Sequence, residues 1–257
     1  MKNTLEKSTT ICSFSGYTPD SVRYGLFDRH NGVSEGLFSS CNIGLGVGDN
    51  PELVIENRDR VRRELGVDYL LSGRQTHGDS IFILEEPLNE DLEVDDYDAF
   101  ITRQRNVGLV IQHADCQAIL LYDPEHEAIG AVHSGWRGSV INLLEKTVSE
   151  MTRVFSTHPA QLRVVISPSL GPCCAEFVNF KQELPPSFHE HMVADNHFDF
   201  WQISKQQLMT CGVKEHSVTI PTICTSCSSD YFSYRRACRD GSGVTGRNCS
   251  VIALPGN

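Results

Sequence analysis

The sequence predicts an α+β fold, a single layered domain of mixed β-sheets flanked by helices, and three observations lead there. Short apolar runs arrive in groups instead of alternating one by one with helices. Three stretches carry the three- and four-residue apolar repeat of an amphipathic helix. The chain has 257 residues, 40% of them apolar, with no internal repeat or low-complexity linker to divide it. Residues 1–20 read as an N-terminal tail and residues 21–257 as one catalytic domain.

Tyr24 to Asp28 is predicted as a strand, followed by a loop from Arg29 to Gly48 rich in Gly, Ser and Asn. Asn50 then offers an N-cap and Pro51 the first helical position. Leu53, Val54, Asn57, Val61 and Leu65 share a face, and Gly66 is the stop. Five apolar runs bounded by polar or turn residues read as strands: Ser80 to Leu84, Ala99 to Thr102, Gly108 to Gln112, Ala118 to Tyr122 and Ala128 to His133. A second helix is predicted over Ser139 to Phe155, where Val140, Leu143, Leu144, Thr147, Val148, Met151 and Phe155 recur at three and four residues. Leu162 to Ile166 reads as a strand, Phe200 to Cys211 as a third helix ended by Gly212, and Ser217 to Ile223 as another strand.

A formal net charge of -11 disfavours nucleic acid or an anionic membrane as partner, since both need a basic surface. A small ligand is the expected partner, taken by a monomer or small homo-oligomer. Lys2 and Lys7 are not followed by an apolar stretch, so Met1 to Tyr17 lacks the pattern of a signal peptide, and no later run has the ~20 apolar residues of a membrane helix. The expectation is a cytoplasmic protein whose ten cysteines remain thiols.

Gly108 to Gly138 is the most informative stretch. If Ala118 to Tyr122 and Ala128 to His133 form an antiparallel hairpin closed at Tyr122 with Glu127 or Ala128, Cys116 falls within one residue of facing His133. Cross-strand neighbours lie roughly 4.5–5.5 Å apart at Cβ, a spacing that suits two ligands of one ion. The best third donor is His77, in Gln75-Thr76-His77-Gly78-Asp79 ahead of the strand at Ser80. Two imidazoles and a thiolate leave a fourth tetrahedral position open, the mark of catalytic rather than structural zinc. Spacing alone leaves ordinary core packing open for these side chains, and Cys116 with His133 also suits a nucleophile and its base, as in a hydrolase acting on amides. His113, three residues before Cys116, falls on the opposite strand face and reads as a core residue or an orienting neighbour.

Seven segments together carry a resemblance. They are Arg29 to Arg58, the QTHGD at Gln75, DYDAFIT (Asp96 to Thr102), ADCQAILLYDP (Ala114 to Pro124), AVHSGWRG (Ala131 to Gly138), GPCC (Gly171 to Cys174) and FSYRR (Phe232 to Arg236). Taken in this order, from about Tyr24 to Leu254, the chain resembles the bacterial YfiH/YlmD-like family, once called multicopper polyphenol oxidases or laccase-domain proteins and now viewed as purine nucleoside phosphorylases. The resemblance implies a YfiH-like fold and a zinc ion on His77, Cys116 and His133. It also implies phosphorolysis of adenosine, inosine, guanosine and 5'-methylthioadenosine, with adenosine deamination as a second activity. Purine nucleoside and phosphate are then the partners. Ser134, His113 and Gly46 depart from the residues usual in the family, Ala, Thr and His, without removing a ligand.

Other features receive lesser roles. Arg137, ahead of the helix expected at Ser139, is a candidate to bind an anion with the helix N-terminus, and Asn42 is a candidate to line the site. A third reading makes the chain a non-catalytic, zinc-stapled module supporting cell-wall quality control. Cys224-x-x-Cys227 followed by Cys238 and Cys249 lacks the second short spacing of a zinc ribbon, so these are expected to be reduced thiols, with Cys173 and Cys174 as packing residues. GLGVG (Gly44 to Gly48) has no Walker Lys after it and reads as a loop. Copper suits the chain less than zinc, since multicopper sites draw largely on His-x-His pairs and His189 with His191 is the one such pair.

Overall fold

The computed structural model describes residues 11–256; the first half of the expected N-terminal tail lies outside them. The strands in chain order are β1 (Arg23–Phe27), β2 (Tyr69–Arg74), β3 (Ile81–Leu84), β4 (Leu92–Asp95), β5 (Ala99–Thr102), β6 (Val107–His113) and β7 (Gln117–Asp123). They continue with β8 (Ala128–Ser134), β9 (Arg163–Ile166), β10 (Met192–Ala194), β11 (His197–Phe198), β12 (Val218–Thr219) and β13 (Asn248–Ala253). The helices are α1 (Pro51–Leu65), α2 (Trp136–Val140), α3 (Leu143–Phe155), α4 (Phe180–Glu183), α5 (Phe200–Thr210) and α6 (Tyr234–Arg239).

Among the described residues, one sheet runs β1-β13-β6-β2-β4 and a second runs β12-β9-β7-β8-β5-β3, with β10 and β11 pairing separately. Both large sheets are mixed. β2 is parallel to β4 and β6, β3 to β5, and β12 to β9, while the other pairs are antiparallel. Side-chain alternation explains how the layers stack. On β7, Ala118, Leu120 and Tyr122 join Leu109, Ile111 and Ile252 of the first sheet in one core. Ile119 and Leu121 point the other way, to Leu144, Val148 and Met151 of α3 and Leu208 of α5. On the first sheet, Val110, Val251 and Ala253 face Val61 and Leu65 of α1. The result is two sheets face to face with helices outside them, and each strand buried on both faces reads as a continuous apolar run. Each such fully buried aliphatic side chain contributes about 1.5–3 kcal/mol relative to leaving it in water.

The first helix follows its signals. Asn50 accepts a hydrogen bond from the Glu52 N–H at 3.0 Å, and Gly66 closes the helix at φ 70°, where a Cβ would be strained. The second predicted helix is instead two. α2 begins earlier, at Trp136, and the chain breaks at Asn142, which sits at φ 52° and caps α3 through Glu145 N. Asparagine tolerates this left-handed turn, and its side chain supplies the acceptor that α3 needs. The strand expected over Ser217 to Ile223 shrinks to Val218 and Thr219, which pair with β9.

The described part of the N-terminal segment packs on the sheets: Cys12 bridges to Tyr24, and the buried Phe14 ring lies 5.7 Å from that of Tyr122. No helix among the described residues is long and apolar enough to cross a membrane.

Candidate active site

The β7–β8 hairpin closes on Asp123 and Ala128, one step beyond the expected closure, so His133 lies opposite Ala118 and Cys116 stands just before the paired run. Convergence is therefore made by the strand ends. Cys116 turns inward after Asp115, which is held at φ 90°. Asp115 carboxylate oxygens accept from Thr225 Oγ1 at 2.7 Å and Arg235 N at 2.6 Å, and its carbonyl accepts from Leu170 N at 2.8 Å. These bonds over-determine a conformation that a non-glycine residue adopts only at a cost.

His77 comes from the loop between β2 and β3, also with positive φ, 62°. The carboxylate of Asp98, wholly buried just before β5, takes the N–H groups of Thr76 (3.1 Å), His77 (3.0 Å) and Gly78 (2.8 Å). The same carboxylate accepts from His133 Nδ1 at 2.7 Å, which aims the other ring nitrogen away from it. One side chain thus sets two imidazoles.

The donor atoms of His77, Cys116 and His133 all lie within 4.8 Å of one another. Cys116 Sγ and His77 Nε2 are 3.7 Å apart, within the roughly 3.3–3.8 Å that tetrahedral zinc, with bonds of about 2.0–2.3 Å, sets between donors. Gly135 permits this approach, because a Cβ there would stand 2.9 Å from both Cys116 Sγ and His77 Cδ2. The three residues fit an ion held on one thiolate and two imidazoles.

The electrostatics agree with that fit. Burial pushes the Cys116 thiol up, yet the neighbouring His133 and His77 outweigh it and bring it down to about 6. Burial works against a charged His133, but the Cys116 sulfur and Asp98 hold it up at about 9. Burial also opposes a charged Asp98, and the His133 and backbone hydrogen bonds still keep it below the usual carboxylate range. A thiolate is thus already available as a ligand near neutral pH.

A cavity of about 1030 Å³ opens over the trio. Trp136, Phe177 and Phe200 form one wall, with the Phe177 and Phe200 rings 5.2 Å apart. Arg235 and Arg247 also line it, the Arg235 guanidinium bonded to the carbonyls of Cys174 and Glu176. Burial lowers the Arg247 guanidinium from its ordinary value, with the Cys116 and Asp115 charges opposing that shift.

The two expected substrate contacts stand elsewhere. Arg137 is exposed, its guanidinium 5.0 Å from the Trp136 ring, outside the cavity lining. Asn42 is fully buried beneath the loop: its Oδ1 accepts from Gly44 N and Arg247 N, and its Nδ2 donates to Asp49. His113 is buried too, bonded to Ser250 Oγ at 2.8 Å. Asp98 went unnoticed as a site residue; the available signal was a carboxylate placed directly before the apolar run Ala99 to Thr102.

Residues 23–255 match the family described as multi-copper polyphenol oxidoreductase laccase. A Streptomyces griseus protein named purine nucleoside phosphorylase is 30% identical over 223 residues, covering 84% of this chain and 89% of its own. The crystal structure of Bacillus licheniformis YfiH superposes with a TM-score of 0.81 at 28% identity, over 91% of this chain and 92% of that one. That of Geobacillus stearothermophilus YlmD gives the same score at 25% identity, over 97% and 100%.

Proposed function

Because the chain belongs to the multi-copper polyphenol oxidoreductase laccase family, whose relatives include proteins named purine nucleoside phosphorylase, we propose that it is a zinc-dependent purine nucleoside phosphorylase with adenosine deaminase activity at the same site. The observation that carries this reading is the trio His77, Cys116 and His133 at the floor of a cavity large enough for a nucleoside and phosphate. The substrates proposed are adenosine, inosine, guanosine and 5'-methylthioadenosine.

In the phosphorylase reaction the C1'–N9 bond of the nucleoside breaks, a bond from phosphate oxygen to C1' forms, and the base leaves with a proton. The aromatic wall of Trp136, Phe177 and Phe200 offers ring faces for the purine. Arg247 and Arg235 supply the cations that hold phosphate against the ribose. His133, fixed by Asp98, and His77, fixed through its backbone, present their nitrogens toward the same point as the Cys116 sulfur. When bound there, zinc supplies Lewis acidity for activating an oxygen nucleophile or polarising the purine ring. Despite the family's name, three protein donors with two histidines suit one ion of this kind better than a set of coppers, and an ion held by three protein donors would keep a position for water or substrate.

Purified, metal-assayed protein given inosine and phosphate should release hypoxanthine and ribose-1-phosphate. Turnover no greater than that of a His77→Ala control rejects the reading. The lowered Cys116 beside a raised His133 is also the arrangement of a thiolate nucleophile with its base, which keeps an amide hydrolase as the second reading. Iodoacetamide separates the two: a nucleophile labels in the protein as isolated, whereas a zinc thiolate labels only after chelation.

A further inference from the structure

The four cysteines that the sequence separates into unrelated pairs meet in space. Cys224 and Cys227 do not join Cys238 and Cys249; they face Cys173 and Cys174, and all four sulfurs lie within 4.8 Å of one another. We propose that Cys173, Cys174, Cys224 and Cys227 are a second metal site, a tetrathiolate holding one zinc ion as a structural staple between two loops.

Distances favour a single ion over other uses of four thiols. Cys227 Sγ is 3.5 Å from both Cys173 Sγ and Cys174 Sγ, far beyond the ~2.05 Å of a disulfide. Zinc–sulfur bonds of about 2.3 Å place the corners of a tetrahedron about 3.8 Å apart, so the thiols already stand close to the required spacing. A four-iron cluster puts a multi-atom core between its cysteines, and a group this tight leaves no room for one.

The local backbone is shaped for it. Cys224-x-x-Cys227 has the short spacing of a zinc turn, and Ser228 N closes the turn on Cys224 O at 3.0 Å. The backbone N–H groups of Gly171 and Cys227 are directed at the Cys224 sulfur, as donors to a metal-bound thiolate are. On the other loop, Cys174 N closes onto Gly171 O at 2.9 Å, which brings two adjacent thiols to one side.

The staple would act at a distance on the site above. Thr225, between the two cysteines of its loop, donates to Asp115, the residue before Cys116. Arg235 bonds the carbonyls of Cys174 and Glu176 while its backbone N–H holds the other oxygen of Asp115. Ala175, Glu176 and Phe177, which follow the Cys173–Cys174 turn directly, line the cavity. Among the described residues, regular pairing between the loops is limited to the bridge of Ser169 with Cys224, so a cross-link contributes much of what fixes them. Four protein ligands leave no position for substrate, which separates this ion in role from one on His77, Cys116 and His133.

The test isolates this site by removing the other. The full chain carrying His77→Ala and Cys116→Ser, purified under reducing conditions, should retain about one zinc per chain by elemental analysis. Adding Cys227→Ser should bring zinc close to none. Cobalt loaded into the double variant should give the intense thiolate-to-metal absorption of four sulfurs, against that of three after Cys173→Ser. Should Cys227→Ser prevent folding, the double variant answers alone: a chelator must release its zinc and expose four thiols together to Ellman's reagent. Metal-free double variant whose four thiols react without chelator overturns the proposal, as does a denatured thiol count showing disulfides among them. Loss of phosphorolysis bears on the other ion and leaves this result standing.

Discussion

Asp98 is bonded to His133 through Nδ1 at 2.7 Å, and the same buried carboxylate holds the backbone of His77 at 3.0 Å. The two imidazoles therefore share one anchor, although His77 lies on the loop after β2 and His133 near the end of β8, 56 residues apart in sequence. An ionised carboxylate is acceptor-only, so it keeps a proton on His133 Nδ1, and an ion would displace the proton from the other ring nitrogen and take that nitrogen as its ligand.

Asp98→Asn keeps the shape and loses this logic. The amide keeps one oxygen for two of the four donors, while its N–H₂ faces the other two, at a cost of about 1–3 kcal/mol for a buried unsatisfied group. Zinc affinity, read by competition with a chromophoric chelator, should fall about 10–100-fold. Unchanged affinity in a folded variant would remove Asp98 from the design of the site.

Gly135→Ala tests convergence from the opposite side. The new methyl would meet Cys116 Sγ and His77 Cδ2 at 2.9 Å each, so both donors must move outward. Overpacking of this kind costs about 1–3 kcal/mol, and the expected signature is a zinc affinity down at least about tenfold with circular dichroism preserved. Titration with zinc, followed by the competing chelator, measures it.

Local signals were readable where local chemistry decides the structure. Asn50, Pro51 and Gly66 bracket α1 because caps and stops act within a few residues. β2 escaped because Ser72 and Gly73 interrupt its apolar run; the glycine is required by the opposite sheet, since a Cβ would stand 2.8 Å from the Phe100 ring. β4 escaped as an edge strand with the alternating burial of LEVD, and the terminal β13 begins with Asn248, Cys249 and Ser250, which resemble a loop until the sheet pairs them. The same limit applies to the site. His77, Cys116 and His133 were legible from motifs, but Asp98, Arg247 and the fourfold cysteine cluster arise from long-range contacts that no window of sequence contains.

His113 should make the fold acid-sensitive. Burial first, then the His133 and Arg247 charges, bring its imidazole down to about 3, so it is neutral in the native state. The unfolded chain takes up a proton below about pH 6.5, so the contribution is fully present above that pH and is lost as pH falls toward 3. Between pH 6.5 and 5 this amounts to about 2 kcal/mol. His113→Thr should flatten that stretch of a urea-unfolding series against pH, while keeping a hydroxyl near Ser250; a wild-type slope in the variant would assign the acid sensitivity elsewhere.

Arg247 and Arg137 offer a paired test of where phosphate sits. Arg247 lines the cavity, and its backbone N–H is fixed by the buried Asn42, whereas Arg137 lies outside against Trp136. A charge-assisted hydrogen bond is worth about 1.5–3 kcal/mol, so Arg247→Ala should raise the phosphate KM of phosphorolysis about 10–100-fold. Adenosine deamination consumes no phosphate and should change far less, which separates lost anion binding from a disturbed fold. Arg137→Ala should leave the phosphate KM within about twofold, since an exposed cation outside the cavity makes little difference to binding within it. Initial rates over a phosphate series for the three proteins decide the matter, and a KM shift in the Arg137 variant alone would move the phosphate site to α2.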